Sequence, residues 1–309
     1  MRSDKGHAAP ARLIGRILGD MPGPTVILLG GVHGNEPAGV QALQEVLALL
    51  QGAGAFRGQL TALRGNMAAL QAHVRYVDED LNRLWQPDRI RSIMQAAPGG
   101  PLSSEQRELR GLLQAVNAAL ALRPATPGFP TVIGDLHSFS APGQMFGLAD
   151  SSAGIARLFR RLGVPLVVGM QDKLHGTAFE YFSALVDTAF VIEGGQHDDP
   201  GTVQRLRASV LTLLAELGCT NTERVGRHAP FPATAPERVR PVYRHPVHPE
   251  DGFCMRPGFS NLQQVAQGEW LADDRLGRVL APDDGYLLMP LYQAQGSDGF
   301  FIVRDAGMA

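Results

Sequence analysis

Residues 25–37 read Thr25-Val26-Ile27-Leu28-Leu29-Gly30-Gly31-Val32-His33-Gly34-Asn35-Glu36-Pro37, and this stretch decides the fold class. Its first five residues are β-branched or aliphatic and are bounded by Pro24 and by two glycines, the pattern of a buried strand. Pro37 suits the opening of a helix. Val40, Leu43, Val46, Leu47 and Leu50 then recur at helical spacing, and Gly52 stops the pattern.

The same alternation continues along the chain. Positions 59–63, 131–136, 166–168 and 189–192 read as further strands. Ser103 with Gln106 resembles a capping box ahead of a helix over 105–122. Val203, Leu206, Val210, Leu213 and Leu217 mark another helix, closed by Gly218. Strands alternating with helices predict an α/β fold: a mostly parallel or mixed sheet with helices on both faces. The texture changes after about residue 222. Residues 227–249 carry six prolines and read as a connection. Short strands are expected beyond it at 252–255, 278–280, 286–288 and 300–303, separated by Gly, Pro and Asp turns. They predict a small, mostly β C-terminal domain.

Composition narrows the functional classes. The chain has 309 residues, 44% hydrophobic and 19% charged, which excludes a disordered chain. A net charge of −2 leaves no basic footprint for nucleic acid or an anionic membrane. No apolar run approaches a membrane span, and the N-terminal residues lack the apolar core of a signal peptide. Cys219 and Cys254 are the only cysteines, so a disulfide framework is excluded and a cytoplasmic location is expected.

The chemistry concentrates at strand ends. A loop after a buried strand lies at the carboxyl end, where open α/β sheets bind ligands. His33 and Glu36, three positions apart on a tight turn, can put an imidazole and a carboxylate on one ion, with the flanking glycines keeping side chains clear of it. His137, in Asp135-Leu136-His137-Ser138 at the end of another strand, is the candidate third ligand, with Asp135 or a backbone carbonyl available to orient it. Two His and one Glu form a common hydrolytic Zn²⁺ ligand set. Glu193 ends the strand over 189–192 and is placed to serve as general base. Arg75, Asn82 and Arg83 lie in RYVDEDLNR. An arginine near the metal would polarise a carbonyl, and an Asn–Arg pair can clamp a carboxylate. Asp80 is a candidate support for these arginines. His197, four residues after Glu193, could line the rim of the site but reads more readily as a solvated loop residue, and Trp85 and Trp270 read as core.

Together GGVHGNEPAG, RYVDEDLNR, DLHS and VIEGG resemble the succinylglutamate desuccinylase/aspartoacylase family, a branch of the zinc carboxypeptidase-like fold. Four short motifs in the right order, over roughly the first two thirds of the chain, carry the resemblance. It implies one Zn²⁺ per chain held by His33, Glu36 and His137, with Glu193 as catalytic acid/base and Arg75 as the carbonyl-polarising residue. It further implies that Asn66, Asn82 and Arg83 bind substrate. The implied reaction is hydrolysis of the amide of an N-acyl amino acid or related small acylated amine, using a metal-activated water. On this reading residues 1–226 form the catalytic α/β domain, and 227–309 form a Pro-rich connection and a small β domain capping the site.

One departure bears on the substrate. The acetylaspartate-cleaving members carry an arginine shortly before the catalytic Glu strand, whereas Lys173 is the only Lys or Arg between positions 162 and 204 here. A different or smaller amino-acid part is therefore expected. Two alternatives stay open: a metallocarboxypeptidase-like peptidase, and a non-catalytic metal or small-molecule binding protein. The expected partner is a small acylated molecule. For assembly, a symmetric dimer is the common default.

Overall fold

The alternation of Val26 and Leu28 against Ile27 and Leu29 organises the molecule. The first pair packs into one hydrophobic core and the second into another, because successive strand side chains point to opposite faces of a sheet. The computed structural model describes residues 11–51, 55–97, 99–122, 127–149, 153–221, 231 and 234–307. In chain order the elements are β1 (Leu13–Leu18), β2 (Met21–Gly30), α1 (Ala38–Gln51), β3 (Arg57–Arg64), α2 (Met67–Ala72), α3 (Pro87–Gln95), α4 (Ser104–Ala121), β4 (Thr131–Phe139), β5 (Phe146–Ala149), α5 (Ala153–Leu162), β6 (Leu166–Val167), α6 (Ala178–Ser183), β7 (Thr188–Gln196) and α7 (Gly201–Glu216). Strands follow: β8 (Arg238–Pro246), β9 (Cys254–Met255), β10 (Gln263–Val265), β11 (Trp270–Asp274), β12 (Gly277–Leu280), β13 (Gly285–Leu288) and β14 (Asp298–Asp305).

The described strands form an 11-stranded mixed sheet in the order β1-β3-β2-β4-β7-β5-β6-β8-β14-β13-β10. Its centre, β3-β2-β4-β7, is parallel. Helices α1, α5 and α7 contribute to one core, and α3, α4 and α6 to the other. Each strand predicted in the α/β part is present; β2, β3, β4 and β7 are longer than expected, while β6 is shorter, covering only Leu166–Val167. The capping box is present as well, with the Ser103 hydroxyl accepting from Gln106 N and the Gln106 side chain accepting from Ser103 N. Gly218, at φ 71°, ends α7 in the left-handed conformation that glycine tolerates best. Gly52 lies outside the described residues.

The C-terminal part is mostly β, as expected, with a separate small antiparallel sheet, but the stretch read as a connection differs. The stretch 227–249 contains β8, which joins the large sheet beside β6 and β14; residues 222–230, 232 and 233 of this region lie outside the described set. A proline-bearing segment can run as a strand because Pro241 sits beside the register shift at Ile302 and Val303, and a proline without an N–H is tolerated at such an irregularity. Strands β13, β14 and β10 extend the same sheet, and only β9, β11 and β12 form a separate three-stranded one. β14 joins the two regions by alternation: Phe301 and Val303 enter the main core, while Phe300 and Ile302 enter a C-terminal cluster with Leu271 and Leu287. Sequence reading gave no expectation for strands β1, β5, β10 and β11 or helices α2, α3, α5 and α6, although Ile155, Leu158, Phe159 and Leu162 of α5 recur at helical spacing and enter the core. No helix among the described residues is long and apolar enough to cross a membrane.

Candidate active site

The turn after β2 closes with Glu36 N donating to His33 O at 3.2 Å, which sets the two side chains against each other. His33 Nδ1 lies 2.9 Å from Glu36 Oε1. Strand β4 is the parallel neighbour of β2, with Gly30 opposite Leu136, so His137 falls beside the turn. His137 Nδ1 lies 2.8 Å from Glu36 Oε2, and Ser138 N donates to the same oxygen at 3.1 Å. All three side chains are buried. The glycines of the loop act differently from expectation. A Cβ on Gly34 would lie 2.0 Å from the carbonyl carbon of Ala69, and one on Gly31 (φ +72°) would strike the Leu70 side chain at 2.8 Å. What they admit is helix α2 packed hard against the loop.

The outer nitrogens of both imidazoles are occupied by carboxylates. His33 Nε2 lies 3.0 Å from Asp80 Oδ1, and His137 Nε2 lies 2.8 Å from Asp135 Oδ2. Such contacts fix ring orientation and turn both Nδ1 atoms inward. Burial would raise the Glu36 carboxyl, but His33 and His137 hold it well below the usual range. Burial acts the same way on Asp80, and His33 and Arg75 bring it well below its ordinary value. For His137 burial favours the neutral ring, yet Asp135 and Glu36 carry it well above the ordinary histidine value.

Glu193 behaves oppositely. It is the register partner of His137 across β4 and β7. Burial pushes its carboxyl up to about 8, a rise opposed by His137 and reinforced by Glu36. Its Oε2 is buried without a hydrogen-bond partner. A raised carboxyl facing a cleft marks a candidate proton-transfer group.

Arg75 donates to Glu36 Oε1 at 3.3 Å and to Asp80 Oδ2 at 3.2 Å. Asp80 thus supports Arg75 and His33 together, a link that sequence spacing did not reveal. Asp80 also caps the turn Leu81–Arg83 by accepting from Asn82 N at 2.8 Å, and this presents Asn82 and Arg83 to the cleft. Asn82 Oδ1 accepts from Ala178 N at 2.9 Å. Arg83 donates to Asp298 Oδ2 at 2.5 Å.

A cavity of about 930 Å³, open mouth included, brings together His33, Glu36, His137, Glu193, Arg75, Asn82 and Arg83. Asn66 is not among its lining residues. It is fully buried at the N-cap of α2, where its side chain accepts from Ala69 N at 3.1 Å and donates to Glu105 Oε1 at 3.0 Å; the Gly-Asn pair after β3 is a capping turn. His197 is half-buried, bonded to Ser138 Oγ at 2.8 Å and to Gln293 Oε1 at 3.1 Å. Trp85 is core as expected, but Trp270 lies between the Arg256 and Arg278 guanidiniums, 4.0 and 4.2 Å from its ring centroid. Sequence reading expected the C-terminal part to cap the site but named no residue there; the cavity is lined by Met289, Leu291, Gln293 and Asp298 among others. They are remote in sequence and belong to no motif.

The donor set fits a divalent transition metal. One ligand atom each from His33, Glu36 and His137 lies within 4.8 Å of the others. Both imidazoles are held from behind by carboxylates, and a set of three protein ligands is the number that catalytic rather than structural zinc sites use.

Fold and site together define a class: an α/β protein of hydrolase design, with a His-Glu-His metal-type centre at the carboxyl ends of parallel strands. Residues 22–217 match the model of the succinylglutamate desuccinylase/aspartoacylase catalytic domain, and the chain belongs to that family of amidohydrolases acting on acylated amino acids. A succinylglutamate desuccinylase of Erwinia tasmaniensis is 39% identical over 61 residues, a match that spans 19% of this chain and 18% of that relative's length. Another, from Pseudomonas fluorescens, is 24% identical over 286 residues, covering 84% and 79% of the two chains. The crystal structure of a succinylglutamate desuccinylase from Vibrio cholerae shares the fold with a TM-score of 0.67 at 16% identity, over 93% of this chain and 84% of that one.

Proposed function

We propose that the protein is a zinc-dependent hydrolase of the amide bond in an N-acyl amino acid or related small acylated amine. One Zn²⁺ per chain, held by His33, Glu36 and His137, would lower the pKa of a water and polarise the scissile carbonyl. The observation that carries the reading is Glu193, whose unpartnered Oε2 shares the cavity with the His-Glu-His cluster. Glu193 Oε2 takes the proton of the attacking water and delivers it to the departing nitrogen. Arg75, held in place by Glu36 and Asp80, faces the charge that develops on the carbonyl oxygen. Asn82 and Arg83 orient the remainder of the substrate, and Asn66 acts through the packing of α2. The C-terminal residues Met289, Leu291 and Gln293 line the cavity, which favours a small amide over the end of a long peptide.

The test is a mass-spectrometric turnover panel of acyl amino acids and acyl amines with zinc-loaded protein. The expected result is cleavage of one acyl class by the wild type. Glu193→Gln should lose about 10²–10⁴-fold in rate while elemental analysis still finds one zinc per chain. Near-normal activity of that variant would remove Glu193 from the mechanism. Zinc binding without turnover of any amide would favour the binding-protein alternative.

A further inference from the structure

We infer that Asp298 sets the substrate class: the cavity takes an acylated amine or amino acid whose recognised part is apolar and carries no second carboxylate. This rests on the amide-hydrolase reading and deepens it.

The argument begins with Arg83, the cation beside Asn82 at the cavity wall. Its guanidinium already holds a carboxylate from the chain itself, Asp298 Oδ2 at 2.5 Å. The other oxygen, Oδ1, accepts from Arg244 Nε at 2.5 Å. Arg244 lies on β8, and Asp298 begins β14 opposite Pro246 of the same β8. Two guanidiniums from separate elements therefore grip one carboxylate, while the sheet fixes its backbone. The side chain of Asp298 is only 14% exposed, so this ion pair is poorly screened.

Arg75 is committed in the same way, to Glu36 and Asp80. Among the described residues lining the cavity, two arginines face the three carboxylates of Glu36, Glu193 and Asp298. Lys173 is not a lining residue; its carbonyl accepts from Arg244 at 3.5 Å. A substrate carboxylate approaching Arg83 would meet the Asp298 charge on the same guanidinium, and like charges at close range in a shielded site repel strongly. The remaining wall is mainly apolar, with Leu148, Met170, Leu174, Phe179, Val191 and Leu291 beside neutral polar side chains such as Ser140, Gln171 and Thr177. Mainly apolar walls beside an arginine whose carboxylate partner the chain already supplies favour apolar groups.

The test compares matched amides with wild-type, zinc-loaded protein: N-acetyl-leucine against N-acetyl-aspartate, and N-hexanoyl-leucine against N-succinyl-leucine. These pairs vary one carboxylate on either side of the amide. The less charged member of each pair should have a higher kcat/KM by about tenfold or more. Calorimetry with zinc-loaded Glu193→Gln should give the same order in Kd. Asp298→Asn should raise the ratio of dicarboxylate to monocarboxylate kcat/KM by about tenfold, with its fold checked by thermal melting. Higher kcat/KM or tighter binding for the dicarboxylates in the wild type would overturn the inference, as would an unchanged ratio in folded Asp298→Asn. If Asp298→Asn does not fold, the wild-type ranking decides alone. If no amide is cleaved, the hydrolase reading fails, and the calorimetric ranking still decides the charge preference.

Discussion

Glu193 and His137 are register partners on adjacent parallel strands, β7 and β4. One strand thereby supplies a member of the metal-type cluster, and its neighbour supplies the carboxyl that would move protons beside it. The pairing is a property of the sheet, so the two groups keep their separation without help from any loop.

The first prediction concerns the protonation of Glu193. In metal-free protein an infrared titration of the protonated carboxyl, read as wild type minus Glu193→Gln, should show a midpoint near 8, up from an ordinary 4.5. A folded-state value raised above the unfolded one means that the folded protein binds this proton more tightly. The group's contribution to stability is then fully present below 4.5 and declines as pH rises from 4.5 toward 8. The melting temperature of metal-free Glu193→Gln should therefore gain on that of the wild type across this window. Adding zinc should lower the Glu193 midpoint, since a nearby cation favours the carboxylate, and zinc affinity should rise with pH.

Asp135 and Asp80 should matter to metal affinity although neither belongs to the three-residue cluster. Each holds the outer nitrogen of one imidazole. Asp135→Asn should weaken zinc binding by about 10- to 100-fold, measured by chelator competition. Asp80→Asn should do the same and also release Arg75, so its kcat should fall further than that of Asp135→Asn at saturating zinc.

The loop glycines predict a stability difference. Gly34→Ala would drive a methyl group to 2.0 Å from the backbone of Ala69, where no flexible side chain can yield. A loss of about 1–3 kcal/mol is expected from such overpacking, read by urea denaturation. Gly154→Ala, with nothing within 4 Å of the new Cβ, should change stability by about 0.5 kcal/mol or less, or raise it.

Gln293 ties the C-terminal segment to the site. Its Oε1 accepts from Asn35 Nδ2 at 2.7 Å and from His197 Nε2 at 3.1 Å. Gln293→Ala should cost about 1 kcal/mol and speed amide hydrogen exchange over 290–298. Zinc stoichiometry should stay unchanged, because Gln293 makes no contact with His33, Glu36 or His137. A slowed exchange, or lost zinc, would contradict this account of the segment.

What the sequence determined by itself was the chemistry carried by short spacings. The apolar run into Gly30 marks a buried strand, and His33 with Glu36 follows within one turn. His137 and Glu193 each sit at the end of an apolar run. These are local patterns, and local patterns survive in a linear chain because strand and turn preferences act over a few residues. Asn66 shows the limit of such reading: the resemblance implies a substrate contact, while the structure puts its side chain on Glu105 and the N-cap of α2. The tertiary structure alone decided the rest. A proline-rich stretch became β8 because β6 and β14 offered open edges on either side. His197 was drawn into the site through Ser138 and Gln293. Arg83 met Asp298, 215 residues away, and that contact changes the arginine from a free clamp into one already engaged with a carboxylate of the chain. No periodicity encodes such a meeting, since it is set by strand order in the finished sheet, where closing the chain over long separations brings charges together that the sequence keeps apart.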